Sequence, residues 1–178
     1  MNWLNHYELP ILFWIREHLT SPFLDTVMPY ISSLARHGEF WILLALILVC
    51  FKKTRKAGVA MGLAMACGYL IGNMGLKNLF ARVRPYNVTE VSLLVEKLRD
   101  FAFPSGHTLV SFEAATALTV YHRKWGIAAL VLAALIGYSR LYLFMHYPTD
   151  VAVGALLGVG IALAACRFTD WLWQRGKA

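Results

Sequence analysis

The stretch SRLYLFMHYPTD, Ser139 to Asp150, closes one apolar run and opens another, and ionisable residues gather at the junction. It reads as the short turn where two membrane spans meet. Pro148 suits the first position of the second helix, where its missing N–H has no partner to lose and its φ is already set. Asp150 then takes the third helical position, from which a side chain reaches back over the helix start. Its carboxylate could meet the imidazole of His146. A carboxylate on one ring nitrogen fixes the tautomer and leaves the other nitrogen as base or nucleophile. Asp150 could equally do no more than cap its helix.

The composition fixes the solvent. Of 178 residues, 58% are hydrophobic and only 15% charged, with a mean hydropathy of +0.54, which is too apolar for an ordinary soluble domain. The chain reads as an all-α integral membrane protein forming one domain over residues 1–178. The net charge of +7 does not indicate nucleic acid, because the basic residues fall in short loops between apolar runs and build no soluble platform. Cys50, Cys67 and Cys166 stand singly in apolar runs, without metal-type spacing, and read as small buried hydrophobes. Glu8, Arg16, Glu17 and His18 interrupt the N-terminal segment, so a cleaved signal peptide is not expected.

Outward from the junction, five alternating spans are expected. They are Phe40 to Phe51 (extended on its N-terminal side), Ala57 to about Phe80, about Gly106 to Tyr121, Trp125 to about Phe144, and Pro148 to about Cys166. Residues 1–36 precede this core of residues 37–178. Within them, 3–19 and 22–34 read as amphipathic interfacial helices, although together they could form a sixth, broken span. Lys52 to Lys56, His122 to Lys124 and the C-terminal Arg167, Arg175 and Lys177 set the cytoplasmic side. The 81–105 loop and the 144–148 turn then face outward. Trp41, Trp125, Trp171 and Trp173 fall near span ends, as an aromatic belt does. The pairs Gly68/Gly72 and Gly154/Gly158 have the spacing that lets helices pack closely.

Two further clusters face outward. If helix continues to Pro85, Lys77 and Arg84 lie two turns apart on one face. Lys77, deep in its span, needs a partner or an anion; Arg82 reads as a C-terminal cation snorkelling to headgroups. Downstream, Ser105 is a good N-cap and Gly106 lets a ligand approach the backbone, so the helix start is an anion site with His107 beside it. Three cations (Lys77, Arg84, Arg140) and a helix N-terminus match a phosphoryl group. Of the two histidines, His146 has the carboxylate orienter and is the better nucleophile, while His107 can protonate a leaving oxygen and later take a proton from water. A metal on His107, His146 and Asp150 is disfavoured, because the three cations would repel it.

Lys-x6-Arg-Pro at 77–85, Pro-Ser-Gly-His at 104–107 and Ser-Arg-x5-His-x3-Asp at 139–150 resemble the three signature motifs of the type 2 phosphatidic acid phosphatase family. These are membrane lipid phosphatases related in fold to vanadium haloperoxidases. The resemblance implies a phosphohistidine on His146, oriented by Asp150, with His107 as general acid and base. It also implies that Lys77, Arg84, Ser105, Gly106 and Arg140 hold the phosphate with no metal or other cofactor. A compact chain with a short outer loop is similar to the small bacterial undecaprenyl diphosphate and phosphatidylglycerophosphate phosphatases, which implies a lipid phosphate substrate in a bacterial plasma membrane. Undecaprenyl diphosphate is the preferred expectation.

A phosphotransferase that discharges the same intermediate to a lipid has the same residues. A phospholipid-binding or transport protein would need the cations but not both histidines and Asp150. Glu113, about 9 Å below His107 by helical rise, needs a partner or a proton in that setting; it suits a hydrogen bond to a neighbouring helix or a part in substrate or proton handling. His6, His18, His37 and His122 carry no assigned chemistry.

Overall fold

The computed structural model describes residues 2–175; Lys177 lies outside them. Helices account for all the regular structure among the described residues: α1 (Asn5–His18), α2 (Pro22–Ser33), α3 (Glu39–Cys50), α4 (Arg55–Gly68), a π-helical segment (Tyr69–Leu76) running into the single turn α5 (Lys77–Phe80), α6 (Gly106–Tyr121), α7 (Arg123–Tyr142) and α8 (Pro148–Arg175).

Helix α6 is the axis of the bundle, packed against α4, α7 and α8. Thr108, Leu109, Ser111 and all of 113–118 are buried on it, and most of these side chains are small. Small residues on both sides of a contact let helix backbones approach closely. At Gly158 an added Cβ would stand 2.7 Å from the Leu109 carbonyl oxygen, and at Gly154 it would stand 2.9 Å from that of Ser105. The Gly154/Gly158 pair therefore seats α8 directly on the α6 backbone. Gly68 and Gly72 do the same work for side chains, leaving room for Glu113 and Leu109.

Length and apolarity support part of the expected set of five spans. Among the described residues, three stretches are long and apolar enough to cross a membrane: Arg55–Asn87, Arg123–Tyr142 and Pro148–Arg175. A fourth results if Pro22–Ser33 and Arg36–Cys50 are one span bent by 45°. In that case the first span extends N-terminally, as expected, through a break where His37 and Gly38 have φ of 52° and 74° and into α2. Gly106–Tyr121 has 16 residues and is the buried centre of the bundle, shorter than the ~20 residues typical of a span. Large apolar side chains such as Phe23, Tyr30, Leu79 and Leu156 lie on the outside, as lipid contact requires.

Trp41 is not a belt residue. It is fully buried, donating its indole N–H to Ser111 Oγ at 2.9 Å, whereas Trp125 and Trp171 are exposed. Of the cysteines only Cys166 is buried; Cys50 is exposed and Cys67 half-buried.

Helices α1 and α2 lie against α7. The buried face of α1 consists of Asn5, Glu8, Leu12 and Ile15, an i, i+3, i+7, i+10 stripe whose upper half is polar. The partners of that polar half are in the site.

Candidate active site

Pro148 opens α8 as expected, and the Tyr147 N–H donates to Asp150 Oδ2 at 2.9 Å. Asp150 is thus the acidic member of a capping arrangement. The same oxygen stands 3.5 Å from His146 Nδ1. Capping and facing the imidazole are therefore not alternatives here, since one carboxylate does both. Phe144, with φ 60°, turns the chain between α7 and α8. The N–H groups of Met145 and His146 then donate to the Arg140 carbonyl at 3.0 and 3.3 Å, and the imidazole is fixed from its own backbone.

The other ring nitrogen settles the tautomer. Arg84 Nη1 lies 3.1 Å from His146 Nε2, and a guanidinium can only donate. Nε2 is therefore the accepting, lone-pair nitrogen of the neutral ring, and the proton sits on Nδ1, which approaches Asp150 at 3.5 Å without making a hydrogen bond among the described residues. Burial disfavours the imidazolium, and Arg84, Arg140 and Lys77 act in the same direction, so His146 is held well below the usual imidazole range. It stays neutral at physiological pH, with an available electron pair directed at the cations.

Arg84 reaches this position in a way that helix continuation would not allow. Helix α5 ends at Phe80, Ala81 takes a left-handed conformation with φ 41°, and Arg84 is extended before Pro85. The expected shared helical face of Lys77 and Arg84 does not exist. What unites them is Asp100, whose Oδ1 accepts from Arg84 Nη2 at 2.6 Å and whose Oδ2 pairs with Lys77 Nζ. Burial opposes ionisation of Asp100, but Arg84 and Lys77 outweigh it and hold the carboxyl below its usual range.

The same left-handed turn overturns the reading of Arg82. Its side chain is fully buried, not snorkelling. Nη1 donates to Asp150 Oδ1 at 2.6 Å and to Thr149 Oγ1 at 2.7 Å, Nε donates to Asn5 Oδ1 at 3.0 Å, and Nη2 pairs with Glu8. Glu8 also accepts from the Thr149 N–H at 2.7 Å. Arg82 thus holds the oxygen of Asp150 that does not face His146, and α1 holds Arg82. Glu8 and Asn5 are site residues that the sequence reading missed; the available signal was their register with Leu12 and Ile15.

Ser105 caps α6, its Oγ accepting from Thr108 Oγ1 at 2.9 Å, while its N–H donates to the Asp150 carbonyl at 3.0 Å. The starts of α6 and α8 are thereby joined. His107 stands at the second helical position, within electrostatic range of Arg140, Lys77, Arg84 and Asp100. The side on which Gly106 lacks a Cβ faces protein: an added Cβ would lie 2.8 Å from Asn73 Oδ1 in the π-helical segment. A π-helical turn beside a site is common. Arg140 is buried and donates through Nη1 to Ser32 Oγ; its Nε has no hydrogen-bond partner among the described residues. All eight sequence candidates fall within this one region. Glu113 lies apart from it, buried against Gly68, and its Oε1 has no hydrogen-bond partner among the described residues.

Residues 56–174 match the PAP2 superfamily model. An undecaprenyl-diphosphatase of Sulfolobus acidocaldarius is 34% identical over 141 residues, which is 78% of this chain and 68% of the relative. A solved transmembrane PAP2-type phosphatidylglycerolphosphate phosphatase of Bacillus subtilis superposes with a TM-score of 0.77 at 29% identity, covering 96% of this chain and 88% of its own. A bacterial vanadium-dependent iodoperoxidase shares the fold at 18% identity, with a TM-score of 0.70 over 92% of this chain and 49% of its own. With the motifs gathered as described and the matched region covering most of its length, the chain belongs to the PAP2 superfamily, as a membrane lipid phosphatase.

Proposed function

We propose that this protein removes the terminal phosphate of a lipid diphosphate, with undecaprenyl diphosphate the favoured substrate, through a phosphohistidine on His146 and without a metal. The observation that carries the mechanism is the orientation of His146, with Nδ1–H towards Asp150 and the Nε2 lone pair towards Arg84. The Nε2 pair attacks the terminal phosphorus, the bond to the bridging oxygen breaks, and His107 protonates the leaving lipid phosphate. Water then attacks the phosphorus, giving its proton to His107, and the P–N bond returns its electrons to Nε2. Lys77, Arg84, Arg140 and the α6 start at Ser105 and Gly106 stabilise the charge on the phosphoryl oxygens through both steps.

The substrate reading is supported by the diphosphatase relative from Sulfolobus acidocaldarius. A phosphatidylglycerophosphate substrate is the second reading, favoured by the extent of the likeness to the solved Bacillus subtilis enzyme. The charge distribution of the loops supports an active site on the outer side of a plasma membrane. The test is phosphate release in EDTA from undecaprenyl diphosphate, phosphatidylglycerophosphate and phosphatidate, with His146→Ala beside wild type. Wild type is expected to prefer the diphosphate, and the variant to lose at least ~10⁴-fold. Chelator-sensitive release, or an active His146→Ala, overturns the mechanism; a preference for a monophosphate overturns the substrate.

A further inference from the structure

Asp100 contributes a negative charge at the point where the site gathers positive charge for a phosphate. Its two carboxylate oxygens are divided between Lys77 and Arg84, two of the three cations named for the phosphoryl group. One of these, Arg84, also touches the nucleophilic nitrogen of His146. A planar carboxylate bridging two cations reproduces two oxygens of a phosphoryl group.

The surroundings let this carboxylate leave. The Asp100 side chain is 48% exposed, whereas those of Lys77 and Arg84 are 10% and 1% exposed. Arg84 also grips the loop by its backbone, donating from Nε to the Asp100 carbonyl at 2.8 Å and from Nη2 to the Phe101 carbonyl at 3.2 Å. The side chain can therefore rotate into water while the main chain holds the loop in place.

We propose that Asp100 is a resident counter-anion that occupies the phosphate-binding cations between turnovers and sets the charge a headgroup must carry to displace it. The proposal rests on the phosphate-site reading above. Its consequence is selectivity within a membrane: the phosphodiester headgroups of bulk phospholipids carry a single negative charge, no more than the carboxylate itself. A terminal phosphoryl group carries between one and two at neutral pH and offers three oxygens, so it displaces Asp100 where a phosphodiester does not. Asp100 thus selects for terminal phosphates and keeps ordinary headgroups out.

The experiment compares Asp100→Asn with wild type in neutral detergent micelles. Orthophosphate binding is measured by calorimetry, and inhibition of lipid diphosphate hydrolysis is measured with phosphatidylglycerol added to the micelles. The variant is expected to bind orthophosphate about two- to fivefold more tightly, the weight of one partly exposed ion pair. It is also expected to be inhibited by phosphatidylglycerol at levels that leave wild type untouched. Unchanged or weaker phosphate binding, or equal resistance to phosphatidylglycerol, overturns the proposal. Should the variant be unstable, orthophosphate is expected to raise its Tm by more than it raises that of wild type; an equal or smaller rise overturns the proposal as well. A wild-type protein that binds orthophosphate but hydrolyses no lipid overturns the phosphatase reading alone, because the binding comparison still stands.

Discussion

Two ion clusters flank His146, and they are near mirror images. On the Nδ1 side a single cation, Arg82, lies between two carboxylates, Glu8 and Asp150, and all three are buried. On the Nε2 side a single carboxylate, Asp100, lies between two cations, Lys77 and Arg84, and is half exposed. The sealed cluster has all three guanidinium nitrogens of its arginine bonded to protein and is fully buried, which suits fixing geometry. The open cluster has excess positive charge and a displaceable anion, which suits binding. Position and affinity are thus separated to opposite faces of one imidazole.

If the sealed cluster is structural, breaking it should be the most damaging change in the molecule. Arg82→Met removes the cation from two buried carboxylates, and leaving buried charges uncompensated costs about 3–5 kcal/mol. A large drop in Tm in detergent is expected, with loss of activity because Asp150 is released from its place against His146. A folded, active Arg82→Met would show that Asp150 needs no second anchor. It would also restore the reading of Arg82 as a peripheral cation.

Next in size is Glu8→Gln, which tests whether α1 belongs to the site. Glu8 Oε1 and Oε2 accept from the Thr149 N–H, the Thr149 hydroxyl and Arg82, so an amide must turn its NH₂ towards a donor. The cost expected from one such mismatch is about 1–3 kcal/mol. The drop in Tm should be accompanied by faster proteolysis near the α1–α2 junction and by a lower kcat. Unaltered proteolysis and kcat would mean that α1 merely rests on the bundle.

How far the sequence was legible follows the same division. The open side and His146 could be picked out because histidines and cations at span ends are costly in a membrane and declare themselves; so did the Pro148–Asp150 helix start. The sealed side could not. Arg82 was misread because nothing about Ala81 announces a left-handed residue, and a helix carried on to Pro85 points Arg82 elsewhere. Glu8 sits among residues that fit an interfacial helix equally well, and only its 3/4 spacing to Leu12 and Ile15 hinted at burial. Asp100 lies in a loop, where sequence carries no periodicity to place a side chain. The count of spans is harder to read for a related reason: apolar composition distinguishes membrane from water, but not a lipid-facing helix from one such as α6 that is buried in protein.

The smallest expected effect is the position of the acid limb of the pH profile, and it probes the open cluster from the side of His146. An ordinary imidazole titrates near ~6.5. Burial first, and then Arg84, Arg140 and Lys77, lower the His146 value well below that, so this imidazole remains unprotonated into mildly acidic solution. The acid limb of kcat/KM is therefore expected to lie below ~6.5. The sign for stability is the same: a His whose folded value is lowered lets the unfolded chain take up a proton that the folded one refuses. This histidine's contribution therefore weakens as pH falls through ~6.5. Asp100 does not blur the measurement, because its own carboxyl is held below the usual range and stays ionised across that interval. Rates measured from pH 4 to 9 on one lipid diphosphate in detergent give the limb directly. An acid limb at or above the ordinary imidazole value would mean that the cations do not act on Nε2, and the division of labour across the imidazole would fail on its binding side.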